Sequence, residues 1–476
     1  MALGSRFASA QEIHLPEPVV DIPKGANFRW VDTGDIKMPF YREFFRQYGE
    51  SRGITVTYDG LPWPEIANIV PLGVRNGTAH DVFQLPLTMR AQQAVAEGWV
   101  QALDDLIPDF EAWKSGFPEG VFVEGLNMFG GKTYGMPYTS GRQHSVLTLF
   151  NRQYLNDAGF DPEETPFTWD TFREAARKVT ENGKGQYYGF IVGGGQVNRW
   201  LSMVDGLVQF AGKEHGFVFS VPIDFRTGEV SIYNDEAVGA VELLLAMRDD
   251  GSFFPGDMNL NAPQARSFMP QGGAAMMLQG PWNVTGWERE NPDYDFGVAS
   301  APGPQGDARG HFTAEAVAQR TGTMFIYAKS AHPEIAADIF HHLGSLEGQV
   351  DIGNWFGVAN SPVFPKAMEL ASISERSKKT QAILNEDVRI GPNPYVSNGD
   401  LGVVAEIYRG PAQDLGATVQ GLFTGQITDI RGSLQQLQDE TERALDAAFA
   451  EAAAQGAKVS RDDLVFPDWD PSADYV

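Results

Sequence analysis

The chain has 476 residues, 42% of them hydrophobic and 21% charged, which is typical of a globular protein of two or three domains and excludes a largely disordered chain. Its formal net charge is -26 without any basic block, so binding to nucleic acid phosphates or to an anionic membrane surface is disfavoured. The absence of cysteine excludes disulfides, thiolate metal sites and a cysteine nucleophile, and no apolar run reaches the ~18 to 20 residues of a membrane span.

The first 26 residues form an N-terminal extension before the first predicted strand. They contain Ala8-Ser9-Ala10, which has the small-x-small form of an export-signal cleavage site, but the apolar segment of a signal peptide does not precede it. Two interpretations stay open, the remainder of a truncated export signal and a chance match.

A strand, a helix and a second strand open the folded part of the chain. Residues 27–31 (NFRWV) are aromatic and β-branched, and they end at a turn-forming cluster, residues 32–35. Aromatic residues then recur with helical spacing over 40–48, and residues 54–58 predict the second strand. This order is typical of an open parallel sheet flanked by helices.

Residues 81–85 (DVFQL) predict a third strand of the same sheet. Open α/β sheets bind their ligands in the loops at the carboxyl ends of such strands. Polar and aromatic residues in these loops are therefore candidates for ligand binding.

Two glycine-rich segments do not have the spacing of nucleotide-binding motifs. Residues 131–138 (GKTYGMPY) contain Gly-Lys-Thr, but a phosphate-binding loop also needs a glycine at the position that Leu126 occupies. Gly193-Gly194-Gly195 lacks the G-x-G-x-x-G pattern of a dinucleotide site. Nucleotide binding is therefore not indicated.

The segment 273–297 predicts a buried strand that ends in an exposed loop. Its first residues are small or apolar, and Gly280-Pro281-Trp282 interrupts them with a break and a large aromatic ring. We interpret Trp282 as a ring that the loop presents to a ligand. The alternative is a core tryptophan, because tryptophan is highly buried on average.

Several segments, taken together, resemble one protein family. They are Asp81-Val82-Phe83, residues 131–138, the Pro-x-Thr-Trp helix start at 166–169, and the Gly-Ala-Ala-Met strand that leads to Gly-Pro-Trp at 273–282. In this order they resemble the extracellular solute-binding proteins of family 1, the maltose-binding-protein-like sugar-binding proteins of ABC importers. The resemblance covers nearly all of residues 27–455.

The resemblance implies an α/β fold of the periplasmic-binding-protein type II, with two lobes joined by a three-segment hinge. Each lobe is expected to hold a mostly parallel sheet flanked by helices. The N-terminal lobe is expected at 27–137 and 296–343, and the C-terminal lobe at 138–295 and 344–476. The family implies a monomeric, periplasmic or extracellular protein that binds a carbohydrate or polyol between its lobes and delivers it to ABC permease subunits, without a cofactor.

The candidate binding residues lie in loops directly after predicted strands or lobe crossings. In the family, the aromatic at the place of Trp282 stacks on a sugar ring, and the region of Trp200 supplies further cleft residues. The set comprises Trp282, Trp200, Trp30, Trp63 and Trp355, with Asp32, Gln84, Tyr138, Gln143, His144 and Arg199 as polar partners.

An extracellular carbohydrate-active enzyme, a glycoside hydrolase or lyase, is the alternative function. Its two carboxylates could lie far apart in a chain with 62 acidic residues, whereas the G-x-S-x-G and H-E-x-x-H motifs are missing. Three acids near the C-terminus, Asp468, Asp470 and Asp474, lack the glycine and glutamate of a calcium loop, so no metal site is expected. The three crossings between lobes favour the binding protein, because a hydrolase does not need them.

If the resemblance holds, ligand should close the two lobes by a hinge motion. We expect the radius of gyration, measured by small-angle scattering, to fall when saturating ligand is added. An unchanged radius at saturation would argue against the hinge.

Overall fold

The computed structural model describes residues 13–86, 89–304, 309–315 and 322–475. The chain divides into two compact units. The first unit comprises residues 1–141 and 316–374, and the second comprises residues 142–315 and 375–476.

The strands of both units are short and are numbered in chain order. They are β1 (Asn27–Asp32), β2 (Thr55–Gly60), β3 (Val82–Phe83), β4 (Met128–Phe129), β5 (Lys132–Thr133), β6 (Gly135–Pro137), β7 (Leu147–Asn151), β8 (Tyr188–Phe190), β9 (Gly216–Val218), β10 (Val221–Asp224), β11 (Glu229–Val230), β12 (Ala274–Gln279), β13 (Phe296–Ala299), β14 (Phe312–Ala314), β15 (Thr323–Ile326) and β16 (Val388–Ile390).

The helices are numbered in the same way. They are α1 (Met38–Arg52), α2 (Trp63–Asn76), α3 (Ala91–Ala96), α4 (Phe110–Ser115), α5 (Arg152–Ala158), α6 (Trp169–Gly183), α7 (Val197–Phe210), α8 (Asp235–Asp249), α9 (Ala262–Phe268), α10 (Trp282–Glu290), α11 (Pro333–Leu343), α12 (Leu346–Phe356), α13 (Pro365–Leu370), α14 (Glu375–Asp387), α15 (Pro394–Ser397), α16 (Leu401–Ile407), α17 (Leu415–Thr424) and α18 (Ile430–Ala454). Short 3-10 turns lie at Asp35–Lys37, Asp257–Asn259, Gly357–Asn360 and Arg461–Leu464.

The first unit is built on a sheet of five strands in the order β2-β1-β3-β15-β6. Strand β1 pairs parallel with β2 and β3, whereas β15 pairs antiparallel with β3 and β6. The aromatic face of α1 packs against this sheet, because its residues Phe40, Phe44 and Phe45 recur at helical spacing and are all buried.

The second unit is built on a sheet of four strands in the order β13-β7-β12-β8. Only the pair β12 and β8 is parallel, since β7 pairs antiparallel with both β12 and β13. Both sheets are therefore mixed, but four of the five strands of the first and three of the four strands of the second run in one direction, so the expected mostly parallel sheets are confirmed. The strand that runs opposite to the others is β15 in the first unit and β7 in the second.

The unit boundaries also differ from the expected lobes. Strand β13 at Phe296–Ala299 was expected to open the return to the N-terminal lobe, but it pairs with β7 and so belongs to the second unit. Helix α12 was expected in the C-terminal lobe, but its Trp355 and Phe356 pack against Phe40 of α1 in the first unit. Both later crossings therefore lie further along the chain than predicted.

The described part of the expected N-terminal extension belongs to the first unit. The side chain of Ile13 is buried in that unit's core. The main-chain N–H of His14 donates to Asp351 Oδ2 at 3.1 Å, and that of Val19 donates to Asp338 Oδ1 at 2.8 Å. The predicted cleavage site at residues 8–10 lies outside the described residues.

Among the described residues, no helix is both long enough and apolar enough to cross a membrane.

Candidate functional site

Trp282 lies where the central strand of the second unit ends. Strand β12 is buried along its whole length, Gly280 and Pro281 follow it, and Trp282 is already the first residue of α10. The predicted exposed loop is therefore reduced to two residues, and the ring is held by a helix. Its side chain is partly exposed, in contrast to the buried strand before it.

The ring of Trp282 is fixed by its neighbours in sequence. Its Nε1 donates a hydrogen bond to Gln279 Oε1 at 3.1 Å. The six-membered part of the ring lies against Gly280, where an added Cβ would lie 2.2 Å from ring atoms. Glycine at position 280 thus provides the space that the ring occupies, and the ring is oriented before a ligand arrives.

We expect Gly280→Ala to displace the Trp282 ring without removing it. A contact of 2.2 Å is impossible, so the indole must rotate away from its position over residue 280. Ligand affinity should fall by roughly tenfold, the loss of about one aromatic contact. Calorimetry measures the affinity of this variant. Gly286→Ala is the control, because an added Cβ at position 286 meets no atom within 4 Å. Equal affinities of the two variants would contradict the assigned ring position.

Polar side chains surround the end of β12, and two of them were missed by the sequence analysis. Gln279 and Asn283 are 2% and 1% exposed, and Asn283 Nδ2 donates to Gly280 O at 2.9 Å. The predicted residue Arg199 reaches the same place from α7, since its Nη2 donates to Leu278 O at 2.7 Å. The missed pair could have been found, because the two residues flank the Gly-Pro-Trp motif.

A second polar cluster lies at the carboxyl ends of the strands of the first unit. It contains the predicted residues Asp32, Gln84 and Tyr138, which the structure brings together around Lys37. Lys37 Nζ lies 3.2 Å from Asp32 Oδ2, 3.1 Å from Tyr138 Oη and 3.4 Å from Gln84 Oε1. No pattern in the sequence indicated that Lys37 pairs with Asp32, although Lys37 follows it by only five residues.

The electrostatics of this cluster are those of a buried ion pair. Burial by itself lowers the pKa of Lys37, but the attraction of Asp32 and the contact with Tyr138 outweigh it, so the pKa lies above the ordinary lysine value. Tyr58 Oη donates to Asp32 Oδ1 at 2.6 Å, and burial together with the Asp32 charge raises the pKa of Tyr58. The cluster is thus a fixed arrangement of charges and hydroxyls at the sheet edge.

Trp30 and Trp200 are core residues, in contrast to the prediction. Trp30 is fully buried, with its ring centroid 5.5 Å from that of Tyr41 and 5.2 Å from that of Phe45. Trp200 is fully buried 4.5 Å from Phe423, and its Nε1 donates to Gly194 O. Since protein aromatics already cover these rings, we remove both from the candidate set.

The remaining predicted residues are Trp63, Trp355, Gln143 and His144. Trp63 is the first residue of α2 and is partly exposed, as is Trp355, which packs on Phe40. Gln143 is partly exposed, whereas His144 is buried. His144 Nε2 lies 3.3 Å from Asp387 Oδ2, so its environment is that of a structural network.

The described part of the chain contains no group of three or more histidine, aspartate or glutamate side chains that could hold a metal ion. The two polar clusters therefore offer hydrogen bonds, charges and aromatic faces, which are the means of binding a polar organic solute.

Comparison with known proteins agrees with this chemistry. The family model described as bacterial extracellular solute-binding protein matches residues 34–350. The arabinooligosaccharide-binding protein of Bacillus subtilis (strain 168) is 24% identical over 316 residues, which cover 64% of this chain and 67% of that protein.

Solved structures show the same fold. The GacH receptor of Streptomyces glaucescens superimposes with a TM-score of 0.65 at 16% identity, covering 89% of this chain and 99% of the receptor. The maltotriose binding protein of Thermus thermophilus superimposes with a TM-score of 0.62 at 19% identity, and the match covers 88% of this chain and 99% of that protein. The predicted α/β periplasmic-binding-protein fold is confirmed by these similarities. Because the family model matches well over half of the chain, this protein belongs to the bacterial extracellular solute-binding protein family, and the prediction of a binding protein rather than an enzyme is confirmed.

Proposed function

We propose that this protein binds a sugar, most readily an oligosaccharide, and delivers it to an ABC importer. The observation that carries the proposal is the partly exposed indole of Trp282, which Gly280 and Gln279 hold at the end of β12. An aromatic face of this kind packs against the apolar C–H side of a sugar ring. A fixed ring contributes to affinity because little conformational entropy is lost on binding.

The polar residues beside the indole fit the hydroxyls of a carbohydrate. Gln279 and Asn283 carry planar amides, which offer donors and acceptors in one plane. On the first unit, Asp32, Lys37 and Tyr138 offer a carboxylate, an ammonium and a hydroxyl. The names of the B. subtilis relative and of the T. thermophilus protein, which refer to arabinooligosaccharide and maltotriose, also support a sugar.

The partners and location follow from the same proposal. The protein acts as a monomer outside the cytoplasmic membrane, in the periplasm or at the cell exterior, and the permease subunits of an ABC importer receive its ligand. The net charge of -26 is consistent with a protein that does not bind nucleic acid.

A thermal-shift screen over a library of oligosaccharides, polyols and amino acids tests the proposal. A true ligand at a hundredfold over its Kd stabilises the folded state by about 2.7 kcal/mol, which raises the melting temperature by a few degrees. We expect stabilisation by one group of related sugars. Stabilisation by amino acids and by no sugar would contradict the proposal.

Incubation of each sugar hit with the protein, followed by a reducing-end assay, is the control for catalysis. We expect no release of reducing ends. Release that a carboxylate substitution abolishes would replace the binding function by an enzymatic one.

A further inference from the structure

The guanidinium of Arg199 is a buried cation without a counter-ion in the described part of the chain. Arg199 is 5% exposed, and the acceptors of its hydrogen bonds are two neutral carbonyls, Leu278 O at 2.7 Å and Ser145 O at 3.5 Å. Its Nε is buried without a hydrogen-bond partner. Burial lowers the pKa of Arg199 to about 10, and no carboxylate offsets this effect. An unpaired buried charge is costly, and it is unexpected in a protein with such an excess of acids.

Two helices add positive potential at the same place. Neither α7, which carries Arg199 in its first turn, nor α10, which begins at Trp282, has a side-chain cap or an acidic residue in its first turn. Other long helices of the second unit are capped by side-chain oxygens, those of Thr168, Asn234, Asp414 and Asp429. The free N–H groups of a helix N-terminus attract anions.

Asp257, an acid that contacts the loop before α7, does not neutralise the charge of Arg199. Asp257 Oδ1 accepts hydrogen bonds from the main-chain N–H groups of Val192 at 3.0 Å and Gly193 at 2.8 Å, in the loop before α7. Its other oxygen, Oδ2, is buried without a hydrogen-bond partner, and burial raises the pKa of Asp257. Among the described residues no ion pair joins Asp257 to Arg199.

Two further buried polar atoms beside Trp282 lack partners. They are Gln279 Nε2, a donor, and Asn283 Oδ1, an acceptor. With Arg199 Nε they make two donors and one acceptor at the end of β12, and native proteins rarely leave such atoms unpaired. A bound group that accepts hydrogen bonds through charged oxygens and also offers a hydroxyl would satisfy all three.

We propose that the sugar bound by this protein carries an anionic group, a uronic acid carboxylate, which is held between Arg199, Gln279 and the N-termini of α7 and α10, while Asn283 accepts from a hydroxyl. This inference rests on the proposed sugar-binding function and specifies the charge of the ligand. A sugar phosphate offers the same charged oxygens, so the test includes it as a separate arm.

The test is calorimetry with matched sugars. Galacturonate is compared with galactose and galactose 6-phosphate, and digalacturonate with galactobiose; the glucose series is measured in parallel. We expect an acidic sugar to bind at least tenfold more tightly than its neutral counterpart. Preference for the phosphate over the uronate would overturn the assignment of a carboxylate.

Gln279→Glu tests the site itself. The new carboxylate can still accept from Trp282 Nε1, but it places a negative charge beside Arg199. We expect the ratio of acidic to neutral affinity to fall at least tenfold, whereas Gln271→Glu, the same change at an exposed position of the same unit, leaves the ratio unchanged. Arg199→Met should also reduce the ratio, and its melting temperature is measured because Arg199 also bonds Leu278 O.

The outcomes separate the two proposals. If neutral sugars bind as tightly as acidic ones, or if Gln279→Glu leaves the ratio unchanged, the charged ligand is excluded while sugar binding stands. If no sugar of either kind binds in this series or in the thermal-shift screen, the sugar-binding function itself is overturned.

Discussion

Replacing Trp282 with alanine is expected to weaken sugar binding by roughly ten- to a thousandfold while the fold stays intact. The substitution removes a stacking contact of about 1 kcal/mol beyond the apolar area that the indole covers. Each 1.4 kcal/mol lost corresponds to about a tenfold weaker Kd. Stability should change little, because the ring is partly exposed and lies over a glycine rather than within a cluster of core side chains.

Calorimetry and thermal melting of the same variant separate the two roles of the indole. Trp287→Ala is the matched control, because Trp287 lies on the same helix but is buried, with its Nε1 bonded to Arg266 O. We expect the melting temperature of the Trp287→Ala control to fall. If Trp282→Ala instead lost many degrees and kept its affinity, Trp282 would be a core residue.

The Trp30→Ala variant is expected to lose roughly 3–5 kcal/mol of unfolding free energy, the usual cost of removing a large aromatic side chain from a core. The indole of Trp30 packs between Tyr41, Phe45 and Phe340 at centroid distances of 5.5, 5.2 and 6.0 Å. A cavity would remain, because these rings are held by α1 and α11 and cannot collapse onto the site.

Denaturant unfolding of Trp30→Ala measures this loss, with Trp30→Phe as a milder substitution that keeps an aromatic ring in the core. Unchanged unfolding free energy together with lost sugar affinity would show that Trp30 faces the ligand, as the sequence first indicated.

Elements with strong local signals were predicted well from the sequence. Residues 27–31 were expected as a strand and form β1, and a helix was expected to start at 166–169, where Thr168 caps α6 through a bond from Thr171 N. The alternation of apolar residues and the chemistry of a cap act over a few residues, so the sequence contains them directly.

The choice of partner strands could not be predicted in the same way. The sequence of β13 predicts an apolar strand but does not indicate which unit the strand joins. Its pairing with β7 depends on residues that are far apart in sequence. Two of the five tryptophans that were predicted to bind ligand show the same limit. Trp30 and Trp282 both lie near strand ends, but tertiary packing places one ring in the core and leaves the other partly exposed.

The polar cluster around Lys37 could be predicted only in part, for the same reason. Asp32 and Gln84 follow neighbouring strands, which is a topological signal, whereas the position of the Lys37 ammonium between them depends on the 3-10 turn at Asp35–Lys37. Such a turn has no strong pattern in the sequence. Its consequence, a buried ion pair, appears only when the strands are assembled.

Strand β15 lies between β3 and β6, which sets the order in which the molecule can assemble during synthesis. The ribosome makes β3 and β6 early, but it makes β15 only after all of residues 142–315. Until then β3 and β6 both lack the strand that pairs with them, and their open edges can pair with other nascent chains. The first unit is therefore expected to complete its sheet late, and a chain that stops before Thr323 should aggregate rather than fold.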